Sequence, residues 1–292
     1  MNPTHWRARA RPAAVWLALC LSAPPLAAAQ DEATLRFELA PGIGVHAALA
    51  DDGQIDITVA PAGTRQRVPG AADEEGRSRL SAEDVDFDGR PELVSRASVG
   101  QVNEAVAVYR FAPGQARFVA LEPATHGHDQ CGGLMGLTVD APNRTLGSSC
   151  RSGPMWYVDF YRYDGPRLYL YRAERMLMLD GALDAVLSVE QPADSGPLAV
   201  WSTFDPAGNV VQTAVADGLD APRSDAPLSP IRGRVVPARL PLYTHAGDSS
   251  TRRYLVQGDV VELLDEAAGW VQVRYRNATR GPVQGWVQVT PE

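Results

Sequence analysis

Strand-and-turn patterning dominates this chain and confines it to an all-β architecture. Trp156–Tyr163 is aromatic and β-branched, turns at Asp164-Gly165-Pro166, and returns through Arg167–Arg172. Such runs, bounded by Gly, Pro and Asp, read as hairpins. A second hairpin joins Leu198–Thr203 to Val210–Ala214 through Asp205-Pro206-Ala207-Gly208-Asn209, and a third joins Ala105–Phe111 to Ala116–Leu121. Leu35–Leu39 and Gln54–Val59 alternate apolar and polar residues with period two, and Glu92–Ser95 reads as a further strand. Residues 61–81, rich in Pro, Gly, Ala and charge, read as a long loop, and residues 172–188 could hold a short helix. Repeated hairpins of this kind predict a β-propeller-like or sandwich-like array.

One connection carries metal-binding chemistry. Asp84, Asp86 and Asp88 occupy alternate positions, Gly89 follows at the sixth place, and Glu92 falls at the ninth. That is the ligand order of a calcium loop: side-chain oxygens at positions one, three and five, a sharp turn at six, a backbone carbonyl at seven and a closing carboxylate. Arg90 at the seventh place contributes only its carbonyl, so its charge is no obstacle. Position twelve is Ser95 rather than the bidentate glutamate of a helix–loop–helix site, so the loop leads straight into a strand. The expected ion is Ca2+, in a bracing role.

The first 29 residues read as a Sec signal peptide. Arg7, Arg9 and Arg11 precede an apolar run from Ala13 to Leu21, and Leu26–Ala29 supplies the small residues of a cleavage site. Leu19 stands before Cys20 where a lipidation signal needs a small residue. The expectation is therefore an exported, periplasmic protein without a membrane span. The formal charge of −8 becomes about −11 once the three leader arginines are removed. Such a balance argues against nucleic acid and anionic membranes and suits a cationic protein partner. Cys131 and Cys150 remain as a pair in an oxidising compartment, which favours one disulfide stabilising the fold by about 3 kcal/mol. His126, His128 and Asp129 beside Cys131 offer an alternative metal spacing.

The expected domain plan is residues 1–29 as signal, 30–214 as the calcium-binding β domain, 215–234 as a linker, and 235–292 as a small module. The Pro-, Asp- and Gly-rich composition of 215–234 reads as unpacked chain. After it come Leu240-Pro241-Leu242-Tyr243, Gly258-Asp259-Val260-Val261, Gly269-Trp270-Val271 and Gly285-Trp286-Val287. This order closely resembles a bacterial SH3-like barrel. Members of that family often bind cell-wall peptides, which would make Tyr243 and Trp286 the candidate aromatic contacts.

A second resemblance covers residues 80–175. Val85-Asp86-Phe87-Asp88-Gly89-Arg90-Pro91-Glu92-Leu93, the hairpin ending Tyr109-Arg110-Phe111 and the stretch Leu146–Pro154 are similar to the periplasmic calcium-binding lysozyme inhibitors and type IV secretion immunity proteins of Xanthomonas type. The resemblance implies a non-catalytic protein that binds and inhibits a lysozyme-like, peptidoglycan-cleaving glycoside hydrolase. Periplasmic inhibitors of this kind block the active cleft with a loop carrying Ser-Gly and a nearby tyrosine. Ser152, Gly153 and Tyr157 are the nearest equivalents here, one residue out of the usual spacing, and Arg151 adds a further donor to this inhibitory loop. The chain lacks the nucleophile-elbow, zinc-protease and phosphate-loop signatures, in keeping with a non-enzyme. Attachment to wall peptides through the C-terminal module is the alternative function.

Overall fold

A computed structural model describes residues 33–71, 78–179, 181–192 and 194–289. The expected signal segment lies outside the described residues, as do residues 72–77 of the expected loop. Residues 31–292 form one compact unit. It is almost entirely antiparallel β-sheet. Among the described residues neither a closed barrel, nor a propeller, nor a separate SH3-like subdomain is detected.

The first sheet is a meander of β1 (Thr34–Ala40), β2 (Ile43–Leu49), β3 (Gln54–Ala60) and β4 (Thr64–Pro69). β5 (Ser78–Glu83), β6 (Glu92–Val99), β7 (Asn103–Ala112) and β8 (Arg117–Ala120) form a second. Strands β4 and β5 occupy part of the 61–81 stretch expected to be a loop. In β4 only Val68 is buried, so this edge strand carries almost no apolar signal; its order comes from pairing with β3. The second sheet is covered on both faces. Leu93 packs with Ile55, Ile57 and Phe118 of the first two sheets, while its neighbour Val94 packs with Leu146, Tyr161 and Leu168 beyond. That double burial explains why β6 buries four successive residues, Glu92 to Ser95, rather than alternate ones.

β9 (Thr138–Asp140), β10 (Thr145–Ser152), β11 (Met155–Asp164) and β12 (Arg167–Met176) continue the chain. The short helix α1 (Ala182–Val186) and strand β13 (Leu187–Val189) intervene before β14 (Leu198–Phe204) and β15 (Val210–Asp217). Strands 15-14-12-11-10-9, in that order, make a six-stranded sheet. Its far face buries Trp201, Ala199, Ala214 and Met176 beneath Leu228. The Trp201 indole donates to the Asp217 carbonyl at 2.9 Å, so the ring is buried with its polar end satisfied.

Leu228 belongs to the stretch expected to be an unpacked linker. The structure corrects that expectation: residues 218–231 are a strap laid against the sheet. Arg172, wholly buried, donates to the carbonyls of Arg223 (2.8 Å) and Ala226 (2.9 Å) and to Thr203 Oγ1 (3.2 Å). Arg162 donates to the Ser224 carbonyl at 2.5 Å and lies over the Tyr171 ring at 3.7 Å. Gln212 and Leu228 exchange two hydrogen bonds. A Pro-rich segment cannot pair its own backbone, and here distant side chains satisfy it instead.

The strap leads into β16 (Arg232–Val235), followed by β17 (Arg239–Pro241), β18 (Tyr254–Val256), β19 (Val260–Ala267), β20 (Trp270–Asn277) and β21 (Gly281–Gln288). Strands β17 and β18 form a ribbon, and the rest a five-stranded sheet in order 13-16-19-20-21. Strand β13, which precedes the strap, is thus the edge of the C-terminal sheet. A single cluster joins Leu183, Leu187, Val200 and Val215 to Leu263, Val271, Val273 and Val287. The C-terminal strands share their core with the rest of the unit.

Two carboxylates are buried in the six-stranded sheet. Asp159 accepts from the amides of Gln130 and Cys131, both at 2.9 Å, and burial holds its carboxyl up at about 6. Glu174 Oε1 accepts from Val158 N at 3.1 Å, whereas Oε2 has no hydrogen-bond partner. Burial first, and then the charges of Asp159 and Asp217, push Glu174 from 4.5 up to about 8. The folded state therefore binds a proton that the unfolded chain has already released between those values. This stabilising contribution is fully present below pH 4.5 and lost as pH rises to about 8. Urea unfolding at pH 5 and pH 8 is expected to show lower stability at pH 8, and Glu174→Gln is expected to shrink the difference. An equal difference in the variant would contradict the assignment.

Candidate metal centre and hairpin tip

The loop Asp84–Pro91 links β5 to β6, at the junction of the first two sheets with the third. Its backbone is wound around its own carboxylates. Asp84 accepts from Asp88 N (3.2 Å) and Gly89 N (3.0 Å), Asp86 accepts from Asp88 N (3.1 Å), and Asp88 accepts from Arg90 N (2.8 Å). Gly89 has φ +85°, the left-handed conformation that the sixth position requires. Phe87 also has positive φ. Its ring meets Tyr163 edge-on at 6.1 Å, and its carbonyl accepts from Arg144 at 3.2 Å, so the loop is pinned to the third sheet.

This winding brings one oxygen from each of Asp84, Asp86 and Asp88 within 4.8 Å of the others. Among the described residues no other three acidic, histidine or cysteine side chains converge in this way. Burial and the neighbouring charge of Asp88 raise the Asp86 carboxyl, while Arg110, at 3.6 Å, opposes the shift. Hard, crowded carboxylate oxygens fit a divalent cation, whose charge relieves their repulsion. The triad can therefore coordinate such a cation.

Of the other two sequence-predicted ligands, Arg90 adjoins the triad through its amide, which donates to Asp88 at 2.8 Å, whereas the Glu92 carboxylate is not among the clustered oxygens. Arg90 is exposed at the loop exit. Glu92 is buried, and its Oε2 accepts from the amides of Val85 (2.9 Å) and Asp86 (3.3 Å). Burial, followed by the charge of Asp86, pushes Glu92 up to about 7. Glu92 thus ties the two ends of the loop together from the core side. A cleft of about 520 Å³ opens beside the loop, with Leu39, Ile43, Phe111 and Pro113 on its apolar wall and Arg110 at its rim.

Cys131 and Cys150 are disulfide-bonded, with Sγ atoms 2.02 Å apart. The alternative metal spacing is not assembled: His128 stacks on Phe204 at 4.7 Å, and His126 faces Arg167 at 3.3 Å. Cys150 lies on β10, two residues from the tip of the β10–β11 hairpin. At that tip Arg151, Ser152 and Gly153 are exposed, with Gly153 at φ +58°. Tyr157 stands apart, half-buried against the cluster around Trp201.

Two residues at the tip escaped the sequence reading. Trp156 is 42% exposed, although its strand is apolar on both faces and gives no hint of which ring is free. Asn103, at the start of β7, accepts from Arg151 N at 2.7 Å and donates to Arg151 O at 3.0 Å. Its amide replaces a neighbouring strand at that point. No periodicity marks such a residue.

In the C-terminal sheet Tyr243 and Trp286 are brought together through their backbones, by bonds of 2.8 and 2.9 Å. Both side chains are half-buried, and the Tyr243 ring meets Trp270 edge-on at 5.0 Å. The exposed aromatic of this region is Tyr254.

No family model matches this chain, and no curated protein matches it either. A solved structure described as that of a Xanthomonas Type IV Secretion System related protein is similar over 62% of this chain and 93% of that chain. The identity is 14% and the TM-score 0.34, a likeness too distant to establish a common fold.

A divalent cation added to chelator-treated protein is expected to raise Tm, by about 2.7 kcal/mol of stability at a hundredfold excess over Kd. Asp86→Ala is expected to abolish the rise. A wild-type Tm indifferent to cations would contradict the site.

Proposed function

We propose that this chain is an exported, non-catalytic, calcium-binding protein that binds and inhibits a peptidoglycan-cleaving glycoside hydrolase. The observation that carries the reading is the pre-formed tip of the β10–β11 hairpin. Asn103 holds both backbone groups of Arg151, Arg151 Nε donates to the Gly153 carbonyl at 3.1 Å, and the disulfide fastens the strand behind them. A projecting segment already fixed in shape loses little conformational entropy on docking. Arg151 and Ser152 offer donors suited to the paired carboxylates of a glycosidase cleft, and Trp156 offers an aromatic anchor. A chain of net charge −8 is steered towards a basic partner.

Calcium fits the triad best because clustered carboxylates match its preference for many hard oxygen ligands. Its place at the junction of the first two sheets with the third makes it a brace. The leader-like pattern of residues 1–29 supports a periplasmic location. The stacked meanders suit a propeller-like or sandwich-like array, and β16–β21 an SH3-like arrangement merged into its core. Wall-peptide binding through Tyr243 and Trp286 draws no comparable support, since the Tyr243 ring is engaged with Trp270.

A panel of purified lysozyme-like hydrolases assayed with the full chain tests the reading. Inhibition of at least one member is expected, with Arg151→Ala plus Trp156→Ala weakening it at least a hundredfold and leaving Tm unchanged. Tyr157→Ala is expected to cost less, because that ring packs inward. Undiminished inhibition by the double variant would rule out the hairpin tip, and no inhibition of any member would rule out the function.

A further inference from the structure

Tyr163 of β11 lies beside the acidic loop. Its ring meets Phe87, the residue between Asp86 and Asp88, edge-on at 6.1 Å, and packs against the core cluster to which Val85 belongs. Its hydroxyl oxygen is buried and has no hydrogen-bond partner among the described residues. Buried hydroxyls are nearly always satisfied, so this one calls for a partner other than the protein's own atoms. Tyr161, two residues earlier on the same strand face, shows the ordinary arrangement: its hydroxyl donates to the Gly133 carbonyl at 3.3 Å.

The charges that act on Tyr163 are those of the loop. Burial, and then the carboxylates of Asp86, Glu92 and Asp84, raise the phenol above its ordinary pKa, while Arg110 opposes them. The hydroxyl is therefore protonated and near the triad, yet bonded to none of its carboxylates. Arg110 is engaged elsewhere, with Nη1 3.6 Å from Asp86 and donating to the Pro166 carbonyl at 3.3 Å. A calcium ion takes about six to eight oxygens. Each triad carboxylate already accepts at least one backbone amide, which leaves places on such an ion to water. Water held in this way is the kind of partner that the phenol lacks.

We propose that Tyr163 is a positioning residue of the cation site, its hydroxyl sharing a hydrogen bond with a water carried by the ion in the triad. The inference rests on the cation reading of Asp84, Asp86 and Asp88, and adds a residue that lies outside the loop's own spacing. It also gives the brace a second end. The carboxylates belong to the connection between β5 and β6, whereas the phenol belongs to β11 of the six-stranded sheet. Without an ion the phenol is a buried donor with no acceptor, a cost that removing the oxygen relieves. Loss of the hydroxyl therefore acts differently on the free and the cation-bound protein.

The test is calcium titration of the chelator-treated full chain by calorimetry, with Tm measured in chelator alongside. Tyr163→Phe is expected to weaken calcium binding about tenfold, as loss of a hydrogen-bonding group behind a bound metal does. Its Tm in chelator is expected to be unchanged or raised. Tyr161→Phe, which loses the bond to Gly133, is expected to do the reverse: a lower Tm and an unchanged affinity. Equal affinity of Tyr163→Phe and wild type overturns the inference and leaves the cation site standing. A Tm in chelator that falls as far as in Tyr161→Phe overturns it too, because the hydroxyl would then have a partner within the fold. Absence of calcium binding by the wild type overturns the inference and the cation site together.

Discussion

Arg172 is the interaction on which the arrangement of this molecule depends. Burying a guanidinium away from any carboxylate costs several kcal/mol unless its donors are satisfied. Here they are satisfied by the strap, through the carbonyls of Arg223 and Ala226, and by Thr203 of the neighbouring strand. The dependence runs both ways. Without Arg172 two strap carbonyls would lose their donor, and without the strap Arg172 would be a buried unpaired charge. This mutual requirement fixes the path of residues 218–231 across the sheet. It thereby delivers β16 beside β13 and continues the core from Val200 and Val215 into Leu263 and Val273.

The sequence shows which parts of this design are local. The hairpin from Trp156 to Arg172 is legible because its apolar strands flank a turn at Asp164-Gly165, where Gly165 supplies φ +56°. The acidic loop is legible because the spacing of Asp84, Asp86, Asp88 and Gly89 is itself the ligand geometry. Long-range features are not legible. Residues 218–231 look unstructured because their backbone partners lie some fifty residues away in sequence. Strand β13 has only three residues, Leu187-Ser188-Val189, too few for a pattern. The glycine and tryptophan order after Val235 does mark a set of strands, but nothing in it says that they share a core with β14 and β15.

The same distinction separates the functional surfaces. The acidic loop sits where β5 turns into β6, with Phe87 pinned by Tyr163 and Arg144, so a cation there would hold sheets in place. The side chains that stand clear of the core, Arg151 and Trp156 on a braced tip, are the ones free for contact. Asn103 and the disulfide illustrate how such a tip is stiffened. Both remove conformational freedom from the hairpin tip.

Amide hydrogen exchange across a urea series, resolved by peptide, tests most directly whether residues 31–292 stand as one unit. The slowest amides of β11–β12 and of β19–β20 should lose protection together, in one transition at one urea concentration. Loss of protection in β19–β20 at a distinctly lower urea concentration, with β11–β12 still protected, would show a C-terminal module folded on a core of its own.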